Sequence, residues 1–363
     1  MIELIAAAIL ATSPTVPSLD SLETSFGFFG CNRIEKDDWK STKEQNPSSA
    51  NVHQLEQTFR DLASIRPVPR FVFGGGDLVL GYGNDQGEET LSQLTAWKTQ
   101  FYQSPLAGKT TMIPFPGNHE LNKKVDKLKL PNPPTVAMWN QWYSGSGFRQ
   151  MAANGPAAQG SNPDRLLGDQ RKLNYSFDAG SVHFIVLNTD TLTSEEDPET
   201  RQGRVGWIPA YWASADIIRA QKNPRIRSIF LLGHRNLTDP KTTTGDSPIA
   251  KEPGQVLLNT IRINSKVRAY VCAHVHAWDL TNFGGTSKAW QVIAGNGGSK
   301  LEDDWKPKDG TYFGFVVLNV YRSGKVVLRN FRRPTPAGKY DDYQPEHPAP
   351  AIPVDTVLFD PSK

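Results

Sequence analysis

The sequence predicts an α/β fold with parallel strands, and two observations predict it. Up to residue 120, short apolar runs alternate with amphipathic runs at helical spacing. Each apolar run also ends in a glycine-bearing loop with polar residues. Strand–helix–strand order implies parallel strands joined by helical crossovers. Ligands of such sheets bind at the carboxyl ends of the strands, where these loops lie.

Residues 25–30 (SFGFFG) read as a short buried strand running into Gly30-Cys31-Asn32-Arg33. Residues 53–65 place Leu55, Phe59 and Leu62 at helical spacing, and Pro67 and Pro69 stop that helix. Residues 71–73 form a second strand, followed directly by Gly74-Gly75-Gly76-Asp77. A second helix carries Leu91, Leu94, Trp97 and Phe101 on one face. Residues 111–115 are a third strand, opening into Pro116-Gly117-Asn118-His119-Glu120. Residues 123–171 are rich in Pro, Gly and Asn and are expected to form an irregular excursion over the strand ends, with Trp139 and Trp142 inside it. Residues 173–177 and 182–187 read as neighbouring strands across the Asp178-Ala179-Gly180 turn. A helix is expected at 207–220, and strands at 229–232, 269–273, 290–294, 312–320 and 326–331.

The expected organisation is a leader at 1–24, one large domain at 25–333 and a proline-rich surface tail at 334–363. Residues 2–11 form an apolar run too short to span a bilayer. Ala11-Thr12-Ser13 supplies the small residues of a secretory signal's cleavage site. No Lys or Arg precedes that run and Glu3 sits within it, so secreted or periplasmic and cytoplasmic locations both stay open.

The composition, 38% hydrophobic and 21% charged, excludes a disordered chain. A net charge of +3 over 363 residues, without a basic stripe, gives no nucleic-acid-binding signature. No run is long enough for a transmembrane helix. Two cysteines, Cys31 and Cys272, cannot make a disulfide framework and read as buried thiols.

Four of the strand ends present metal-ligand types: Asp77, then Asn118 with His119, then His234, then His274 with His276. Four of the seven histidines sit at these places, and His53, His183 and His347 read as structural or surface residues. His274 and His276 alternate along an extended segment, so both imidazoles point the same way. Carboxylate, amide oxygen and imidazole together suit a divalent zinc, manganese or iron ion. Taken singly, His119 could cap a turn, His234 could be an ordinary loop residue, and Asp77 could be a turn residue after three glycines.

The order GGD, GNHE, GH and HxH resembles the calcineurin-like metallophosphoesterase family over residues 26–332. The segments Val186-Leu187-Asn188-Thr189-Asp190 and Gly295-Asn296-Gly297-Gly298 resemble it as well. The resemblance implies a four-layer α/β/β/α sandwich of two mixed β-sheets flanked by helices. It also implies hydrolysis of a phosphomonoester or phosphodiester, with two metals about 3.5–4 Å apart activating a water. Asp77 would bridge the metals, Asn118, His234 and His274 would complete the second site, and His276 would serve the first. His119 would assist the leaving oxygen. A phosphorylated small molecule or macromolecule is the implied substrate.

The first motif departs from the family's D-x-H. Cys31 stands where the Asp belongs and Arg33 where the His belongs. The purple acid branch has a Tyr three residues after the bridging Asp, where this chain has Leu80. Three readings of the first site stay open. Cys31 ligates as a thiolate; Arg33 replaces the metal's charge and clamps phosphoryl oxygens; or the site is dead and the protein only binds a phosphorylated ligand or a partner. The Arg33 reading expects one metal ion, and the thiolate reading allows two. Cleavage of phosphonate or sulfate esters is a further alternative.

Overall fold

Two six-stranded sheets, each mixing parallel and antiparallel pairs, carry the chain. The computed structural model describes residues 21–34, 52–82, 87–125, 128–157, 163–196, 203–239, 248–302, 305, 310–333 and 348–363. Of the expected leader at 1–24, residues 1–20 lie outside the described residues, while residues 22–24 already belong to the first strand. Among the described residues no helix is long and apolar enough to cross a membrane.

The chain opens with β1 (Leu22–Phe29), α1 (Val52–Ser64), β2 (Phe71–Gly75), α2 (Glu88–Gln103) and β3 (Thr111–Phe115). A short α3 (Asn118–Leu121), the hairpin β4 (Asn122–Val125) and β5 (Leu128–Pro131), and α4 (Pro133–Gly145) follow. The middle of the chain supplies β6 (Tyr175–Ala179), β7 (Val182–Leu187), α5 (Ala210–Lys222), β8 (Ser228–Gly233), α6 (Lys251–Ile263) and β9 (Val267–Cys272). Strands β10 (Trp278–Asn282), β11 (Trp290–Ala294), β12 (Phe313–Tyr321), β13 (Val326–Arg333) and β14 (Ile352–Phe359) complete it.

The first sheet has the order β14-β13-β12-β1-β2-β3 and the second β10-β11-β9-β8-β7-β6. Three apolar clusters fix the layers. Phe26, Phe28, Phe73 and Phe115 of the first sheet meet Phe184, Phe230 and Val271 of the second. The Phe26 ring lies edge-on to Phe184 and Phe230, each with centroids 5.0 Å apart. The outer face of the first sheet packs on Leu55 and Phe59 of α1, Trp97 of α2 and Trp139 of α4. The outer face of the second packs on Ile217 of α5 and Leu257 and Ile261 of α6. This is the four-layer sandwich that the resemblance implies. Strands β1, β2 and β3 run parallel, as do β7, β8 and β9, so their carboxyl ends gather at one edge of the two stacked sheets.

Several segments differ from expectation. The excursion at 123–171 contains the β4–β5 hairpin and α4, and Trp139 and Trp142 are buried in the core cluster under the first sheet. Pro133 and Pro134 start α4, because a first-turn proline forfeits no helical hydrogen bond. Helix α6 and strand β10 were not anticipated; Pro253 and Gly254 in the first turn of α6 mask its apolar period. Within the expected tail, β14 hydrogen-bonds antiparallel to β13.

His183 at the start of β7 is structural. Its Nδ1 lies 2.5 Å from Asp178 Oδ1 and its Nε2 2.9 Å from Asp216 Oδ2. Carboxylates only accept, so both ring nitrogens carry protons. Burial lowers its pKa, but the bonds and charges of Asp216 and Asp178 outweigh this and raise it above the ordinary value. The stabilisation is therefore complete below the unfolded-state pKa near ~6.5 and disappears as pH rises through the folded value. His183→Gln should lower the melting temperature more at pH ~6 than at pH ~9; an equal loss at both would show that the ring is held neutral.

Candidate metal centre

Asp77 follows β2 directly and is completely buried. Gly76 gives the chain its turn at φ 80°, and Asp77 itself is left-handed at φ 51°. The approach of the loops leaves no space for side chains. A Cβ on Gly76 would stand 2.6 Å from His234 Nδ1, and one on Gly117 would stand 2.4 Å from Asp77 Oδ1. The loops after β1 and β2 are stitched by Cys31 N–H donating to Gly76 O at 3.0 Å and Arg33 N–H to Asp77 O at 2.8 Å. Glu120 fastens the third loop: its carboxyl accepts the backbone N–H groups of Asp77, Val79 and Gly117 at 3.0, 3.1 and 2.7 Å.

Side chains from both sheets converge on the Asp77 carboxylate. Oδ1 lies 3.0 Å from His234 Nε2 and also accepts the His119 backbone N–H at 3.2 Å. Oδ2 accepts from Arg33 Nε and Nη2 at 3.4 and 3.3 Å and stands 3.7 Å from His119 Nε2. His234 Nε2 is also 3.2 Å from His274 Nδ1. Burial raises the Asp77 pKa, but the neighbouring His119 and His234 imidazoles and the Arg33 guanidinium more than reverse this and hold it well below the carboxylate range.

Two groups of ligating atoms share Asp77. Asp77, His234 and His274 form one, and Cys31, Asp77 and His276 the other; within each, the candidate atoms lie within 4.8 Å of one another. Backbone carbonyls orient three of the imidazoles. His234 Nδ1 donates to Gly75 O at 2.8 Å, His276 Nδ1 to Lys300 O at 2.7 Å, and His119 Nδ1 to Leu80 O. Nε2 of His119 and of His276 is left with a lone pair, the tautomer that metal-ligating histidines adopt, while Nε2 of His234 faces the Asp77 carboxylate. Ligands held ~2.0–2.1 Å from one ion stand roughly 3.0–3.4 Å from each other. The spacings of 3.0 and 3.2 Å among Asp77 Oδ1, His234 Nε2 and His274 Nδ1 fit that arrangement.

Asn118 Oδ1 and His276 Nε2 are buried without a hydrogen-bond partner among the described residues. The Asn118 amide is anchored on its nitrogen side, which donates to Tyr82 Oη. The donor set therefore fits a divalent cation. The sequence-predicted residues Cys31, Arg33, Asp77, Asn118, His119, His234, His274 and His276 are all buried or nearly so; the hydrogen bonds, ion pairs and ligand groups above link all but Asn118 into one cluster, and Asn118 joins it through Tyr82, whose ring lies against His119.

Four residues of the pocket were not singled out from the sequence. The Tyr82 ring lies against that of His119, centroids 4.1 Å apart and planes tilted by 49°. Arg235 is 3% exposed and grips both oxygens of Asp190, with Nε–Oδ2 2.8 Å and Nη2–Oδ1 2.9 Å. Its Nη1 lies 3.1 Å from His274 Nε2. Glu120 completes the set; it was visible inside GNHE, and Asp190 inside the segment after β7, but nothing in the sequence specified their partners.

Among the described residues, seven non-glycine residues have left-handed φ: Cys31, Arg33, Asp77, Tyr82, Arg165, His274 and Lys288. Five of them line this pocket. Such conformations cost about 1–3 kcal/mol each and collect at functional sites.

A family model described as calcineurin-like phosphoesterase matches residues 48–278. Among solved structures, a purple acid phosphatase from yellow lupin (Lupinus luteus) seeds superimposes with a TM-score of 0.55 at 19% identity, covering 85% of this chain and 51% of that one. A dimetal phosphatase from Danio rerio gives 0.54 at 12% identity, covering 85% and 96%. At these identities the likeness is one of fold, and the chain spans about half the length of the lupin protein. No curated protein sequence matches the chain.

Gly117→Ala should lower stability by about 1–3 kcal/mol in urea unfolding, because the new methyl meets Asp77. Metal affinity should fall with it; unchanged stability and affinity would mean that the loops are not in close contact.

Proposed function

This chain belongs to the calcineurin-like phosphoesterase family, and we propose that it hydrolyses a phosphate ester with a divalent cation held by Asp77, Asn118, His234 and His274. The observation that carries the proposal is the completely buried Asp77 carboxylate, which two groups of candidate ligating atoms share. When bound, a zinc, manganese or iron ion supplies Lewis acidity and lowers the pKa of water at the site.

The chain's own groups do the rest. Arg33 sits on the side of Asp77 where the family's first motif supplies ligands, and its permanent charge serves there in place of a second cation. The Arg33 guanidinium contacts Asp77 through Nε and Nη2. It is well suited to clamp the phosphoryl oxygens and stabilise charge developing on them. His119, anchored through Nδ1, presents Nε2 beside Asp77 and is placed to hydrogen-bond the leaving oxygen. Burial and the Arg33 charge push its pKa down to about 3, so the free enzyme holds it neutral. An anionic phosphate bound at Arg33 opposes that push and favours the proton-donating form. Tyr82, its ring packed against His119 and its hydroxyl accepting from the Asn118 amide, keeps both in place.

The direct test is metal content together with p-nitrophenyl phosphate hydrolysis, with and without added manganese or zinc. Turnover should be metal-stimulated. Asp77→Asn should lose both ion and turnover. His119→Ala should keep the ion and lose ~10²-fold or more in rate. One ion per chain, retained in Cys31→Ala, supports Arg33 as the replacement charge; two ions falling to one in that variant supports a Cys31 thiolate ligand. A bound ion with no hydrolysis across phosphomonoesters and diesters would favour the silent, ligand-binding alternative.

A further inference from the structure

We infer that the edge of the sandwich opposite the metal centre docks on an anionic phospholipid membrane surface. The inference goes beyond the proposed hydrolysis and uses none of its residues. Strands β7, β8 and β9 run parallel. The end of β8 that leads into His234 therefore faces the metal centre, and its start, after Arg227, lies at the other edge. At ~3.3 Å per residue the two positions are roughly 20 Å apart. The turns at that far edge bring together Arg225 and Arg227 before β8, Lys266 and Arg268 at the start of β9, and Arg322 and Lys325 in the β12–β13 turn. Hydrogen bonds tie these turns to one another. Arg268 Nη2 donates to Arg227 O at 3.1 Å, Arg227 Nη1 donates to Arg322 O, and Lys266 Nζ donates to Asn223 O at 2.7 Å.

Acids do not balance these charges. Among the described residues, Arg227 alone of the six has an ion-pair partner, Glu23 Oε2 at 2.6 Å, and Asp360 lies beside Lys325 without pairing. Arg268 is the extra residue where β9 slips against β8, a bulge between the pairs Ile229–Val267 and Phe230–Ala269. Its guanidinium stands 3.5 Å from the Phe359 ring centroid and donates to the carbonyls of Ser265 and Arg227. Its Nε is buried without a partner among the described residues. An un-neutralised cation so near the surface adds to the positive field of the edge. An apolar side chain favours lipid over a soluble polyanion. Ile263, which ends α6 in the turn before Lys266, is 71% exposed, more than any other large apolar side chain among the described residues. Headgroup phosphates meet the basic turns while Ile263 enters the acyl boundary. Docked in this way, the metal centre faces away from the lipid.

The test is flotation of the full chain with vesicles of phosphatidylcholine alone and of phosphatidylcholine mixed with phosphatidylserine. Binding should be about tenfold tighter or more on the mixed vesicles and should weaken as salt is raised. Equal binding to both vesicles, or none to either, overturns the inference, and these arms need no variant. Arg225 and Arg322 are exposed and lack ion-pair partners among the described residues, so Arg225→Glu/Arg322→Glu should weaken binding about tenfold or more. Ile263→Ser should weaken it about threefold or more. Lys172→Glu/Lys251→Glu makes the same charge change at the metal-centre edge, before β6 and at the start of α6, and should stay within about twofold of wild type. An equal loss in the two double variants reduces the effect to net charge and overturns the inference. Binding to heparin with none to vesicles assigns the edge to a soluble polyanion and overturns it as well. No arm reads metal content or hydrolysis, so the membrane inference and the proposed function fail separately.

Discussion

A carboxylate with no access to water is the constraint around which this molecule is arranged. Burying an unpaired charge costs several kcal/mol, and a native structure tolerates it only where opposite charge or a cation meets it. Asp77 is met from every side: His234 on one oxygen, Arg33 and His119 on the other, and backbone N–H from the third loop. These partners come from β1, β3 and β8, so the charge ties together the carboxyl ends of both sheets. The same density of donors and lone pairs that makes Asp77 tolerable also makes the pocket a place for a divalent cation.

The sandwich makes that convergence possible at a distance from the bulk of the core. The aromatic layer between the sheets, with Phe26 against Phe184 and Phe230, fixes how the two sets of strand ends face each other. Gly76 and Gly117 then remove the last steric barrier between loops. What stability the left-handed residues forfeit at the pocket is supplied by the packing elsewhere, a division commonly found where function sets local geometry. Two arginines, Arg33 and Arg235, stand at positions next to candidate ligands, one touching Asp77 and the other His274.

Much of this was legible in the sequence because it depends on local order. Strand β3 was read with its observed ends, Thr111–Phe115, since an apolar run between Pro and Gly signals leaves little choice. The gathering of these side chains was legible because Asp77 and the histidines followed strands whose carboxyl ends must lie together. Features that depend on distant partners were not. The bond from Arg235 to Asp190 links residues 45 apart, and no spacing rule connects them. Helix α4 was hidden because Pro133 and Pro134 read as loop formers when they in fact start a helix. Strand β14 was hidden in a proline-rich segment, and it pairs antiparallel with β13. Three open readings of the first motif narrow only partly, since Cys31 and Arg33 both lie against Asp77.

The most direct measurement of the central claim is an anomalous difference map from crystals grown with zinc or manganese, collected at the metal's absorption edge. The expected result is a peak ~2.0–2.3 Å from Asp77 Oδ1, His234 Nε2 and His274 Nδ1, with Arg33 remaining against Asp77 Oδ2. A map with no peak at Asp77, or with metal only on surface residues, would contradict it.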